Sequence, residues 1–584
     1  MKKNIVNIII LTCTIMLASC DYLDQAPEAE GLTFEKVFGD SLNYQRYCDY
    51  LILHPFYLQL ENGVKPIGSH DCGISDNSIS SVTFTSTPSV LACIGDFYTM
   101  RSNANSVWCN NTTWDQIWKH IRVANTGIRN ISHYPGTELS RDKVLGMCYF
   151  YRAWAHAELC RRWGGMPYLY TPLEADGQMD LPRLGMQETY EKAANDCDSA
   201  ALYLKNVIPA SEFPRPTRVA ALALKSRILL YASSDLARNE TTDGKDLWES
   251  AALAADSCLR VAEANGYGLV EWSNYYYTLK DIKEEYYLKE TLLGRRQNHG
   301  WGTDAYNQNS GRPPGQLSGK YGAAPNANFV ESFEMTNGLP LTDPASGYNP
   351  QNPYVNRDPR FYFNVMYNGA SVAGKTLQIY NFNEITGKSD ALDLQFTNGV
   401  PVMGYTLTGT YVNKWMGNNF GAAMKVMWPY IRLAEIYLNY AEAANEAWGS
   451  PGSKDPRCLY SPEEAINKIR NRALMPNINS KFLSQDLFRD RVRNERRVEL
   501  SFEEHRVYDL RRWKIATQPE YRDIYGYYIT KLKPGTYNVA DYPTGFKYEK
   551  RLVQQRVFEQ KHYLFVIKLD DTRIGPNFKQ NPGW

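Results

Sequence analysis

Arg493-Asn-Glu-Arg-Arg-Val-Glu-Leu-Ser-Phe-Glu-Glu-His-Arg-Val-Tyr-Asp-Leu-Arg-Arg-Trp513 mixes carboxylates and guanidinium groups at helical spacing. Glu495, Glu499, Glu503 and Arg506 recur every three or four residues, which places them on one edge of a helix predicted over about Ser484–Lys514. Arg496 and Glu499 are spaced to pair along that helix. Two carboxylates on one edge also suggest glycoside hydrolysis, which needs a pair about 5–9.5 Å apart with one member's pKa raised. Here Arg493, Arg496, Arg497, Arg506, Arg511 and Arg512 surround the carboxylates and should lower their pKa values. The expected role is a structural ion network, and the same holds for Glu435 and Glu442.

Working outward, more helices appear on both sides. Tyr430–Trp448 has a buried stripe of Ile431, Ala434, Leu438 and Ala441 and stops at Gly449; another helix spans about Ser461–Leu474. Toward the N-terminus, Trp114–Ser132 repeats Ile117, Ile121, Ala124 and Ile128. A second helix runs from about Asp142 to Trp163 and is closed by Gly164-Gly165 and Pro167. Glu188–Leu204, Thr217–Ser233 and Leu247–Ala264 follow. Between Asn265 and Trp428 the chain is rich in Gly, Pro, Asn and Tyr with short apolar runs, so long loops and a few short strands are expected. Helices of this length with alanine on their faces predict stacked hairpins of the tetratricopeptide kind, although no strict repeat of about 34 residues is visible.

The N-terminus bears on compartment. Lys2 and Lys3 precede an apolar run, Ile5–Leu17, that is too short for a bilayer span of roughly 20 residues. Leu17-Ala18-Ser19-Cys20 then fits a lipoprotein-type signal peptidase, so residues 1–19 are expected to be removed and Cys20 acylated. The rest, 20–584, is expected to form a single domain, with its helical scaffold at about 114–264 and 430–514. The chain of 584 residues carries 64 basic and 63 acidic side chains, a balance that argues against nucleic acid as a partner. Its 42 Tyr and 13 Trp leave rings to spare for a surface that stacks on something flat and polar. Of 11 cysteines nine lie beyond Cys20, an odd number that cannot all pair. Cys48, Cys72, Cys93 and Cys109 are close in sequence, and their pairing stays open.

The segment 493–513 resembles the C-terminal signature of the SusD/RagB family, and Tyr430-Ile-Arg-Leu-Ala-Glu-Ile-Tyr-Leu-Asn-Tyr-Ala-Glu-Ala443 is similar to a second family motif. Cys20-Asp-Tyr-Leu-Asp-Gln-Ala-Pro27, Trp114–Asn125, Tyr151–Trp154 through Gly164–Pro167, Arg357-Asp-Pro-Arg360 and Ile469-Arg-Asn-Arg-Ala473 match in order along the chain. One departure is Glu504, where the family often has glycine, which puts the local turn geometry in question. The resemblance implies a mostly α fold, with tetratricopeptide-like hairpins supporting a large loop-rich ligand-binding face and few short strands. It further implies a non-catalytic lipoprotein of the outer membrane, facing outward, that captures glycan and caps a SusC-like TonB-dependent transporter.

The residues agree with a binding role. Eight histidines form no HExxH or close pair, and no GxSxG elbow, Walker loop or GxGxxG is present, so neither metal nor cofactor is expected. Asp71, Asp76 and Asn77 superficially suggest calcium, but the twelve-residue loop pattern fails. A surface glycoside hydrolase and a peptide-binding member of the same family are the alternatives. Ligand contacts are expected on loops, in Asp71–Trp108 and in the segment after Ala264. Trp108 lies between Asn105-Ser106 and Asn110-Asn111; Trp301 is flanked by glycines and followed by Asp304 and Tyr306. Tyr276 sits in a run of three tyrosines that would expose a ring if extended. Trp108, Trp301, Tyr306 and Tyr276 are therefore the expected sugar-stacking rings, with Asp76 and Asn77 reading hydroxyls. Trp114, Trp118, Trp154 and Trp513 are expected in the core.

Overall fold

The computed structural model describes residues 34–53, 73–81, 88–102, 110–174, 177, 179–238, 244–298, 312–319, 322–415 and 425–584. Cys20 and the signal segment lie outside them. The frame begins with α1 (Ser41–Leu53), followed by α2 (Asn111–Arg129), α3 (Glu138–Trp163), α4 (Met186–Tyr203), α5 (Arg218–Ser233) and α6 (Lys245–Ala264). Local chemistry sets several of the ends. Asn110 and Thr217 accept the Thr113 and Ala220 backbone N–H groups, and α3 stops where Gly164 turns to φ 84°. Consecutive helices from α2 to α6 pack side by side, and α6 then packs on α8 (Leu433–Trp448), which continues the stack with residues from the far end of the chain. Alanine makes this possible: Ala220, Ala223, Ala252, Ala255, Ala434 and Ala441 are fully buried at the contacts. This is the mostly helical, tetratricopeptide-like frame. No described helix is long and apolar enough to cross a membrane.

Helix α7 (Trp272–Leu279) comes between α6 and α8, and α9 (Pro462–Arg472), α10 (Gln485–Glu499) and α11 (His505–Arg512) follow α8. The described strands pair in small ladders. β1 (Ser78–Ser80) runs antiparallel to β3 (Ala323–Pro325), and β2 (Thr291–Asn298) to β4 (Lys425–Arg432); β5 (Asp523–Lys531) and β6 (Phe546–Gln555) form a hairpin.

Two boundaries depart from the sequence expectation. Tyr430–Arg432 end strand β4, and the helix starts at Leu433. The predicted helix over Ser484–Lys514 is two helices, because Phe502 and Glu504 adopt φ 57° and 65°. Glu495 and Glu499 therefore lie on α10, Glu503 in the turn and Arg506 on α11. Arg496 does not pair with Glu499; it donates to Asp509 at 2.8 and 3.0 Å and to Asn439 at 2.7 Å.

Glu504 occupies a left-handed position that suits glycine, and a non-glycine residue there costs about 1–2 kcal/mol. Glu504→Gly is expected to leave the thermal midpoint unchanged or raise it slightly, glycine's greater unfolded-state freedom offsetting part of the gain. A midpoint lowered by several degrees in differential scanning calorimetry means that the carboxylate's contacts outweigh the backbone strain.

Candidate functional site

A network of buried charges ties β4, α9 and α10 together. Arg432 at the end of β4 donates Nη1 to Glu499 at 2.6 Å and to Glu290 at 3.0 Å, and Nε to Glu503 at 2.7 Å. Glu499 also accepts from Arg472 and Arg360, and Glu503 from Lys414 at 2.5 Å. All of these side chains are buried. Burial alone would raise the Glu499 carboxyl, but Arg472, Arg432 and Arg360 outweigh it and hold it well below the usual carboxylate range. Glu442, held by Arg512 at 2.6 Å through both oxygens, is likewise driven against its burial to about 2. Glu435 accepts two bonds from Arg227. Carboxylates pinned in this way are acceptors in a scaffold.

The same end of the molecule fixes the loop before β1. Arg556 donates to four backbone carbonyls, those of Gly73, Ile74, Ser75 and Ser78, at 2.6–3.0 Å. Arg506 on α11 grips both oxygens of Asp76 at 2.7 Å, and Arg497 on α10 donates to Asn77 Oδ1 at 2.7 Å. Asn326 adds a bond to the Asp76 carbonyl at 3.0 Å. Asp76 and Asn77 are each 1% exposed. Burial pushes the Asp76 carboxyl up, but Arg497 and Arg506 bring it down to about 2. Both residues act as structural clamps, buried where a hydroxyl-reading contact calls for exposure, and their side-chain oxygens are engaged by arginines more than 400 residues away in sequence.

From this clamp the chain reaches a rigid junction. Beyond β1, Ser81 N–H donates to the Gly322 carbonyl at 2.9 Å, and Gly404 N–H donates to the Ser81 carbonyl at 3.3 Å. Segment 312–319 packs on Leu392–Asp393, where Gln316 N–H donates to Asp393 Oδ1 at 2.8 Å. Gly315 lies so close to the Leu392 carbonyl that no side chain fits there. Residues 82–87 leave this junction at Ser81. The β2–β4 ladder ends at Asn298, paired with Lys425, and residues 299–311 lie outside the described residues. Trp301 and Tyr306 belong to that stretch, and Trp108 to 103–109; all three lie outside the described residues. Leu392, Val400 and Met403 beside the junction are exposed at 47%, 62% and 49%.

Tyr276 is on helix α7, not in an extended run, and is half-buried; its ring meets Tyr277 edge-on at 5.4 Å. Tyr275 points into the core. Trp114, Trp154 and Trp513 are buried as expected, whereas Trp118 is half-buried. Among the described residues no cluster of His, Cys, Asp or Glu could hold a metal ion.

Comparison with known proteins agrees with this architecture. The sequence profile of the SusD family matches residues 289–584, and a second profile, described as starch-binding associating with outer membrane, matches residues 59–230. The chain belongs to the SusD family. It is similar to SusD-like protein P2 of Formosa agariphila, with 24% identity over 422 residues, 69% of this chain and 72% of that one. Among solved structures, a SusD-like protein from Bacteroides fragilis superposes with a TM-score of 0.71 at 23% identity, covering 96% of this chain and 100% of its own. A SusD-like carbohydrate-binding protein from the same organism gives 0.68 at 22% identity, with coverage of 93% and 100%. A laminarin-binding SusD-like protein gives 0.56 at 15% identity, with coverage of 93% and 100%.

Proposed function

We propose that this protein is a non-catalytic glycan-binding lipoprotein of the cell surface that passes oligo- or polysaccharide to a SusC-like TonB-dependent transporter in the outer membrane. The observation that carries the reading is SusD-family membership over a tetratricopeptide-like helical frame, and Trp108, Trp301 and Tyr306 remain the proposed stacking rings. Family members described as carbohydrate-binding and laminarin-binding support glycan as the ligand. A sugar ring presents faces of C–H bonds edged by hydroxyls. Flat aromatic rings cover the former, and directed polar groups satisfy the latter. Loops that carry such rings gain from rigid roots, since ordering backbone costs roughly 1–2 kcal/mol per residue.

The decisive experiment is a polysaccharide-binding screen on purified protein, combined with a reducing-end assay on each ligand found. Binding without new reducing ends is expected; new reducing ends identify a hydrolase. With a ligand in hand, Trp301→Ala and Trp108→Ala are each expected to weaken affinity severalfold or more by calorimetric titration at an unchanged melting temperature. Wild-type affinity in both variants would mean that the platform lies elsewhere. Anchoring and partnership share one preparation. Salt-washed membranes of the native host, solubilised in mild detergent, are expected to yield the wild-type chain together with a large β-barrel protein. Cys20→Ala should instead be recovered in the wash, and its retention on the membrane refutes the lipid anchor.

A further inference from the structure

Seven described cysteines, Cys48, Cys93, Cys148, Cys160, Cys197, Cys258 and Cys458, are buried free thiols. Three of them direct sulfur at a backbone carbonyl: Cys93 toward Gly73, Cys160 toward Met186 and Cys258 toward Val219. Cys48 and Cys148 are placed differently. Their sulfurs face each other at 3.7 Å, one on α1 and the other on α3, and both residues are 0% exposed. A glycine of the intervening helix makes the space. A Cβ on Gly127 of α2 would lie 2.8 Å from the Cys148 sulfur and 3.0 Å from the Cys48 sulfur. The Tyr44 hydroxyl, one turn before Cys48, donates to the Gly127 carbonyl at 2.6 Å and holds α1 against this gap.

We propose that Cys48 and Cys148 are a disulfide site, which closes when the exported chain folds in an oxidising compartment and staples α1 to the helical frame. The proposal rests on the export reading of Leu17–Cys20, since structural disulfides persist outside the reducing cytosol. The oxidant is a protein dithiol carrier in its disulfide form. One cysteine thiolate attacks a carrier sulfur, breaking the carrier's S–S bond and forming a mixed disulfide. The second thiolate then displaces the carrier, so the Cys48–Cys148 bond forms. The two thiol protons pass through solvent bases to the carrier's sulfurs, and the electron pair stays on the carrier, which leaves as the dithiol. Both sulfurs are inaccessible in the finished fold, so exchange occurs while α1 is still docking. The bond would join the first long described helix after the lipid-bearing cysteine to α3, at a sequence separation of 100 residues.

The test uses the full mature chain in two preparations. One is taken from membranes of the native host; the other is refolded from denaturant in a mixed reduced and oxidised glutathione buffer, with native structure verified by circular dichroism. Each is alkylated under denaturing conditions and mapped by mass spectrometry. The expected result is a linked peptide pair containing Cys48 and Cys148, lighter by two hydrogen atoms, in both preparations. The thermal midpoint of oxidised wild type should fall by several degrees on reduction, and that of Cys148→Ser should not respond. Free Cys48 and Cys148 in the correctly refolded protein, or linkage of either to another cysteine, overturns the proposal. Linkage after refolding with free thiols in the native-host protein overturns it for the cell and places the failure in the export reading.

Discussion

Arg432→Met is expected to lose about 3–5 kcal/mol of folding stability, the usual cost of removing one partner from a buried charge network. The side chain lost is fully buried and bonded to Glu290, Glu499 and Glu503. Methionine fills similar volume, so the loss reports on the three carboxylates left facing one another and not on a cavity. Acid distinguishes these causes. The Glu499 and Glu503 carboxyls have folded pKa values below the ordinary 4.5. Their contribution is therefore complete at neutral pH and fades as pH falls from about 4.5 through the folded values. In the variant the same carboxylates lose one of their cations, keeping Arg472, Arg360 and Lys414, and take up protons more readily. The gap between wild type and Arg432→Met in urea unfolding should accordingly narrow between pH 7 and pH 4. A gap that does not change with pH assigns the loss to packing.

Asp76→Ala should be of similar size, about 3–5 kcal/mol, because it leaves the buried guanidinium of Arg506 and the largely covered one of Arg497 without their carboxylate. Asp76→Asn keeps the shape and should lose less. The folded carboxyl titrates near 2 against an ordinary 3.8, so wild type forfeits this contribution only as pH drops from about 4 toward 2. Thermal unfolding of the three proteins at neutral pH checks the order. A ligand contact at a loop tip would give a different signature, with affinity lost and the melting temperature preserved. That outcome for Asp76→Ala would falsify its role as a clamp.

Asp76 also shows where a linear reading stops. Local pattern found it in a polar, turn-rich stretch and took it for a surface contact. Its partners are on α10, α11 and past β6, and nothing in neighbouring sequence encodes them. Helices with their own caps and stripes were legible to within a few residues: Glu188–Leu204 was expected and Met186–Tyr203 is found; Thr217–Ser233 was expected and Arg218–Ser233 is found. Tyr430–Arg432 misled because Ile431 fits the helical stripe of Leu433–Trp448 while its backbone completes the pairing with β2. The break at Phe502 and Glu504 misled because neither residue is a usual left-handed former. The departure from glycine at 504 was the one cue that pointed to it. The structural role of the motif's carboxylates was legible, since arginines at helical spacing imply ionised partners. The exposed Leu392, Val400 and Met403 were not, because exposure depends on how segments 312–319 and 391–404 meet.

Arg556 and the loop it clamps are separated by 481 residues at the Ser75 contact. A polypeptide is made, and an exported one delivered, N-terminus first, so Ser75 is available to fold before Arg556 arrives. Through that interval residues 73–78 lack four of the donors that fix them, and β1 lacks its seat. The N-terminal helices can stack as they appear, but the junction beside them waits for the last tenth of the chain. The clamp on residues 73–78 is therefore completed late, and a chain cut short before Arg556 would have most of the helical frame without it.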